Sequence, residues 1–88
     1  MKLKYKFVTN KVADMIVAVA VGEDAEKFSG FIKMNDSGAY IFGLLKNDVT
    51  EDEIVTSMKE EYEGVTPEKL RDTVKEFIAK LKESDVIE

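Results

Sequence analysis

The hydrophobic period of this chain changes at residues 35–37, and this change limits the folds that the chain can adopt. Before it, apolar residues alternate with polar ones or run through short β-branched segments, and after it they recur at helical spacing. The residues at the change, Asn35, Asp36 and Ser37, have short polar side chains that can accept the free amide protons of a helix start. The sequence therefore predicts strands followed by helices, which is an α+β architecture.

The part before the change predicts three strands. Residues 4–8 alternate polar and apolar, residues 9–11 are polar and predict a turn, and residues 13–21 are rich in β-branched residues. Both faces of residues 16–21 are apolar, which is typical of a central strand. After a charged loop opened by a glycine, residues 30–34 return to the extended pattern. Together these segments predict a three-stranded antiparallel sheet.

The first two predicted helices have recognisable starts and ends. The first runs from residue 35 to about residue 46 and contains Gly38 and Gly43, which each cost about 1 kcal/mol relative to alanine and therefore indicate close packing. The second begins at Thr50, because Glu53 three residues later completes a capping box. Gly64 is predicted to stop this helix.

The third predicted helix is the longest. It begins at Thr66 and Pro67, since proline at the first helical position loses no hydrogen bond. Residues 85–88 form a short apolar tail that is expected to pack on the sheet or to begin another strand. The inward stripe of this helix is predicted to consist of Leu70, Val74, Phe77 and Leu81, with Ile78 next to it.

Composition limits what such a fold can do. A chain of 88 residues with 44% hydrophobic content supports one core, so one domain is expected over residues 1–88. The chain has no cysteine and no histidine, and therefore no thiolate nucleophile, imidazole base or usual zinc ligand. We expect no enzyme activity, no cofactor and no metal site. The acidic groups at residues 51–53 and 60–63 are interpreted as helix-dipole and solvent-facing charges.

Charge and hydropathy also indicate the environment of the protein. The formal net charge of −5 disfavours nucleic acid, because a phosphate backbone would be repelled. The longest apolar stretch, residues 15–21, is much shorter than the roughly 20 residues that a membrane span needs. A cytoplasmic protein that is not bound to a membrane is expected.

A winged-helix DNA-binding module is the alternative reading. The third helix carries five basic residues, which would suit a recognition helix. Acidic residues at 68, 72, 76 and 83 are interleaved with them, so i,i+4 charge pairs also explain the pattern.

Several segments together resemble PqqD-like proteins. Residues 30–45, GFIKMNDSGAYIFGLL, are similar to the strand-to-helix segment of that family, and residues 50–54, 61–62, 74–81 and 86–88 are similar to its later elements. The resemblance extends from residue 12 to the end of the chain. The chain departs from the pattern at two places: Thr73 replaces an acidic residue, and the pair Asn47-Asp48 stands where a glycine is common.

The resemblance implies a winged-helix-like fold and a peptide chaperone. Such proteins bind the leader of a ribosomally made precursor peptide and present it to a modifying enzyme, in the founding case a radical S-adenosylmethionine enzyme. The leader lies against the third strand, where it can add a strand to an open edge, and beside the third helix. On this chain the implied peptide-binding residues are Phe31, Ile32, Lys33, Met34, Arg71, Val74, Lys75 and Ile78.

These candidate residues are expected to act in different ways. Arg71 and Lys75 would pair with acidic leader residues. A proline at Ile32 would remove a main-chain donor from the binding edge. Val74 and Ile78 line either the groove or the core, and the sequence leaves both positions open.

Overall fold

The structure is a computed structural model that describes all 88 residues, Met1–Glu88. In chain order its elements are β1 (Phe7–Val12), β2 (Met15–Ala20), α1 (Asp24–Lys27), β3 (Ile32–Met34), α2 (Asp36–Leu44), α3 (Glu51–Glu61) and α4 (Pro67–Glu83). The strands form one antiparallel sheet in the order β1-β2-β3. The predicted α+β arrangement, a three-stranded antiparallel sheet followed by three helices, is confirmed, with the single turn of α1 inserted between β2 and β3.

The turn predicted at residues 9–11 is wrong. These polar residues continue β1, where they are exposed, and the hairpin turns instead at Ala13 and Asp14, between the paired residues Val12 and Met15. Ala13 has a φ of 57°, so it takes the left-handed conformation that a tight reversal needs. Polar side chains are also typical of a solvent-facing strand, which is why composition alone misplaced this turn.

The predicted helix starts are confirmed by their capping contacts. At α2, the Asn35 side chain accepts a hydrogen bond from the Gly38 amide at 2.9 Å. At α3, Thr50 and Glu53 form a reciprocal capping box. At α4, Thr66 accepts from the backbone amide three residues later at 3.2 Å. Each contact satisfies an amide that the helix itself leaves unpaired.

The core lies between the inner face of the sheet and the helices. Ala18 of the central strand is fully buried, and α4 contributes Leu70, Val74, Ile78 and Leu81. Phe77, which was predicted within this inward stripe, is only half-buried. The stripe is thus rotated toward Ile78, and Phe77 is left at the margin of the core.

The C-terminal tail pairs with the start of the chain. Val86 is fully buried, and Ile87 forms an antiparallel bridge with Leu3. The amides of Lys4 and Glu88 donate across this pair at 2.8 Å each. The two chain ends are therefore held together on the core. No helix has both the length and the apolar character needed to cross a bilayer.

We expect alanine substitutions at the two glycines of α2 to change the stability of the protein in opposite directions. A Cβ at Gly38 would lie 2.9 Å from Cε1 of Phe77 and 3.2 Å from Cβ of Met34, whereas a Cβ at Gly43 would have no atom within 4 Å. We expect Gly43→Ala to raise the free energy of unfolding by about 0.5–1 kcal/mol, through helix propensity. Gly38→Ala should lower it by about 1 kcal/mol, because overpacking outweighs that gain. Urea denaturation followed by circular dichroism measures both, and an equal rise for the two variants would contradict the packing role of Gly38.

Candidate functional site

The open edge of β3 is the feature around which the candidate site is built. Residues of an antiparallel strand point their main-chain groups alternately to either side. The Val21 amide donates to the Lys6 carbonyl at 3.0 Å, so the odd-numbered residues of β2 face β1 and the even-numbered ones face β3. In β3, Ile32 and Met34 are therefore hydrogen-bonded to β2. The main chain of Lys33 faces away from the sheet.

This geometry corrects the expected effect of a proline at Ile32. The amide of Ile32 points into the sheet, where it pairs with β2, so proline there would remove an internal hydrogen bond. The outward donor and acceptor of β3 belong to Lys33. Just before the strand, the main-chain groups of Phe31 form no hydrogen bond within the protein.

A groove of about 410 Å³ runs beside this edge, between β3, the start of α2 and one face of α4. Its floor includes Gly38, whose missing side chain allows the Phe77 ring to approach α2 closely. Glu76 and Lys80, the two charged side chains that α4 contributes to the groove, are exposed. From α4 the groove is lined by Thr73, Glu76, Phe77 and Lys80.

One side chain of the groove contacts the strand edge directly. The ammonium of Lys80 donates a hydrogen bond of 2.7 Å to the main-chain carbonyl of Lys33. On the other side of the strand, the ammonium of Lys33 lies 5.8 Å from the centre of the Phe31 ring, which is 57% exposed. The edge is therefore bordered by a cation and an aromatic ring on its outer side and by α4 on its inner side.

The structure brings only part of the predicted site to this edge. Phe31 and Lys33 are exposed there, while the side chains of Ile32 and Met34 are buried beneath the sheet. Val74 and Ile78 belong to the core, with exposures of 0% and 6%. The sequence left open whether Val74 and Ile78 line the groove or the core, and in the structure both lie in the core.

Arg71 and Lys75 lie away from the groove. At about 100° per residue, both are more than roughly 140° around α4 from the face that lines it. The Arg71 guanidinium donates to the carboxylates of Glu51 and Asp52 at 2.7 and 2.8 Å, and these hydrogen bonds, that of Asp52 foremost, raise the pKa of Arg71. Lys75 is exposed and forms no ion pair. Binding of a peptide by either residue stays a prediction.

The α4 residues of the groove were absent from the sequence-based site. Residues 73, 76, 77 and 80 are spaced i, i+3, i+4 and i+7, which places them on one face of a helix. This spacing predicts a second face of α4, but the face could be distinguished from the core stripe only after the structure had shown that the core stripe includes Ile78. The groove face is the neighbouring stripe.

A second, larger cavity lies at the opposite edge of the sheet. It has a volume of about 610 Å³, lies between β1 and α2, and is lined mostly by apolar residues that include Tyr5, Phe7 and Phe42. By the same alternation, the main chains of Phe7, Thr9 and Lys11 face this edge. The sheet therefore has two free edges, and only that of β3 lies beside α4.

Comparison with known proteins agrees with this architecture. Residues 15–87 match the model of the family described as Coenzyme PQQ synthesis protein D (PqqD). A solved structure described as TbiB1 in complex with the TbiA(beta) leader peptide is similar over 100% of this chain and 95% of that chain, with a TM-score of 0.73 and 20% sequence identity. None of the curated proteins matches. Since the family model covers most of its length, this chain belongs to the PqqD family.

Proposed function

We propose that this protein is a peptide chaperone that binds the leader of a ribosomally made precursor peptide as an added strand along β3. The observation that carries the proposal is the outward-facing main chain of Lys33 at the β3 edge, with the α4 groove beside it. In this proposal residues 1–88 act as one binding domain without a cofactor. The chemistry belongs to the partner enzyme to which the leader is presented, a radical S-adenosylmethionine enzyme.

Strand addition suits this edge for a physical reason. An edge strand presents unpaired amide and carbonyl groups, and an extended peptide satisfies them with its own main chain. These hydrogen bonds supply affinity that tolerates changes of peptide sequence. Alternate peptide side chains would face the α4 groove or the outer side beside Phe31 and Lys33, and these contacts supply selection.

The β3 edge is favoured over the β1 edge although the β1 cavity is larger. The groove beside β3 combines an aromatic side chain, Phe77, with the exposed charges of Glu76 and Lys80, so it can distinguish one peptide from another. The resemblance to PqqD-like proteins also implies the third strand and the third long helix. The TbiB1 structure, which has the same fold, contains a leader peptide.

The DNA-binding alternative receives no specific support. The Arg71 guanidinium, one of the five basic groups of α4, is engaged by two carboxylates of α3. The remaining bases of α4 alternate with acidic residues along an exposed surface. A helix with nearly balanced charge lacks the basic stripe that holds a phosphate backbone.

The proposal predicts which main-chain groups of the protein a bound peptide contacts. Peptides selected from a displayed random library against the full chain should protect the Lys33 amide from hydrogen exchange. They should also give nuclear Overhauser contacts between peptide and β3 main-chain protons, because the two strands become neighbours. Solution NMR measures both effects. Selected peptides that leave Lys33 unprotected, or a library that yields no binder at this edge, would contradict the proposal.

A pair of proline variants separates the two edges of the sheet. Lys33→Pro removes the outward amide of β3, and Thr9→Pro removes an outward amide of β1, each without breaking a hydrogen bond of the sheet. We expect Lys33→Pro to weaken peptide binding at least about tenfold, because a lost main-chain hydrogen bond leaves the partner carbonyl unpaired. Thr9→Pro should bind normally. Calorimetric titration of folded variants measures this, and the reverse order of effects would move the site to β1.

The proposed partner enzyme can be checked by sequencing the genes that lie beside the gene for this chain. Reading frames for a short precursor peptide and for a radical S-adenosylmethionine enzyme should lie beside the one that encodes this chain. Neighbours of unrelated classes, in several genomes that carry this chain, would argue against that partner while leaving peptide binding intact.

A further inference from the structure

Lys80 makes a contact that its own helix does not require. Glu76 lies one turn before it on α4, and a glutamate followed four residues later by lysine is the favourable order for a helical ion pair. The two side chains nevertheless form no ion pair in the structure. The Lys80 ammonium instead donates to the Lys33 carbonyl at 2.7 Å, across the mouth of the groove.

The acceptor that Lys80 occupies is the one that an added strand would use. The Lys33 carbonyl faces the open edge, and a peptide lying along β3 would donate a main-chain amide to it. The ammonium therefore holds the place of the missing strand in the free protein. Because Lys80 is exposed and its stem is flexible, it can leave this position at small cost.

We infer that Lys80 is a specificity-determining residue of the peptide site, and that it selects a leader with a carboxylate facing the groove. This inference rests on the proposed function. As the peptide amide takes over the Lys33 carbonyl, the displaced ammonium turns to the peptide and forms a charge-assisted hydrogen bond with an Asp or Glu side chain. The proton stays on Nζ throughout, and only its acceptor changes.

Strand geometry specifies the position of that carboxylate. The peptide residue opposite Lys33 directs its side chain to the same outer face as Lys33, so its two neighbours along the peptide point into the groove. These two groove-facing residues are about 7 Å apart, within reach of Phe77 and Lys80 together. The ligand is thus an extended segment with an apolar and an acidic residue at positions i and i+2.

A double-mutant cycle tests this pairing. The probes are the selected peptides that protect the Lys33 amide, each synthesised with its groove-facing Asp or Glu and with the matching Asn or Gln. We expect Lys80→Met, which retains an apolar stem, to weaken binding of the acidic peptide about tenfold and to leave the amide peptide unchanged. Lys82→Met is the matched control, because Lys82 is an exposed lysine on the opposite side of α4. It should leave both affinities unchanged.

The free protein offers a second readout that needs no ligand. The carbonyl ¹³C resonance of Lys33 should shift in Lys80→Met and stay in place in Lys82→Met, since only Lys80 donates to that carbonyl. Unchanged unfolding free energy in both variants checks that the folds are intact.

The outcomes separate this inference from the function on which it rests. Equal losses for the acidic and amide peptides, or peptides bound at β3 that carry no acidic residue facing the groove, would overturn the role of Lys80 and leave strand addition in place. Failure of every selected peptide to protect the Lys33 amide would overturn both. Coupling confined to Lys80 and the acidic peptide supports the inference.

Discussion

The need to pair main-chain hydrogen-bonding groups governs this structure. A sheet of three strands satisfies both sides of β2 and leaves one side of β1 and one of β3 unpaired. At β1 the free side borders a mainly apolar cavity, and at β3 it borders a face of α4 that carries charge. The protein covers neither side with another strand, but it places the Lys80 ammonium on the one outward carbonyl of β3.

Helix α4 packs one face into the core and places a neighbouring face beside the β3 edge. One face buries Leu70, Val74, Ile78 and Leu81, which sets the rotation of the helix about its axis. That rotation brings the neighbouring face, with Phe77 and Lys80, against β3 and directs Arg71 toward the start of α3. Burial of the apolar stripe is the strong term, so the exposed side chains take the positions that it leaves them.

Much of the fold was predictable because its signals are local. The caps at Asn35, Thr50 and Thr66 involve atoms at most three residues apart, and each marked a helix start correctly. The hairpin turn was misplaced because polar residues occur in turns and on exposed strands alike. In the candidate site, Phe31 and Lys33 were expected at the edge and are found there. The groove residues of α4 were missed because the predicted inward face of this helix was slightly rotated from the true one. Phe77 was predicted to face inward and is half-buried, whereas Ile78, which the sequence left open between groove and core, is buried.

The order of the three strands and of α2, α3 and α4, together with the helix starts and the central position of β2, could be predicted from the amino-acid sequence because these features depend on periodicity and on contacts between near neighbours in the chain. The short helix α1 was expected to be a loop. The family resemblance came from the quoted segments and their order. Three features needed the folded structure: which main-chain groups of β3 face outward, which face of α4 lies beside them, and the contact of Lys80 with the Lys33 carbonyl across 47 residues of chain. These features depend on strand register and helix rotation. Both are set by packing between distant segments. A slip of one residue in the strand register would exchange the buried and exposed sides of β3, and one residue along α4 corresponds to a rotation of about 100°.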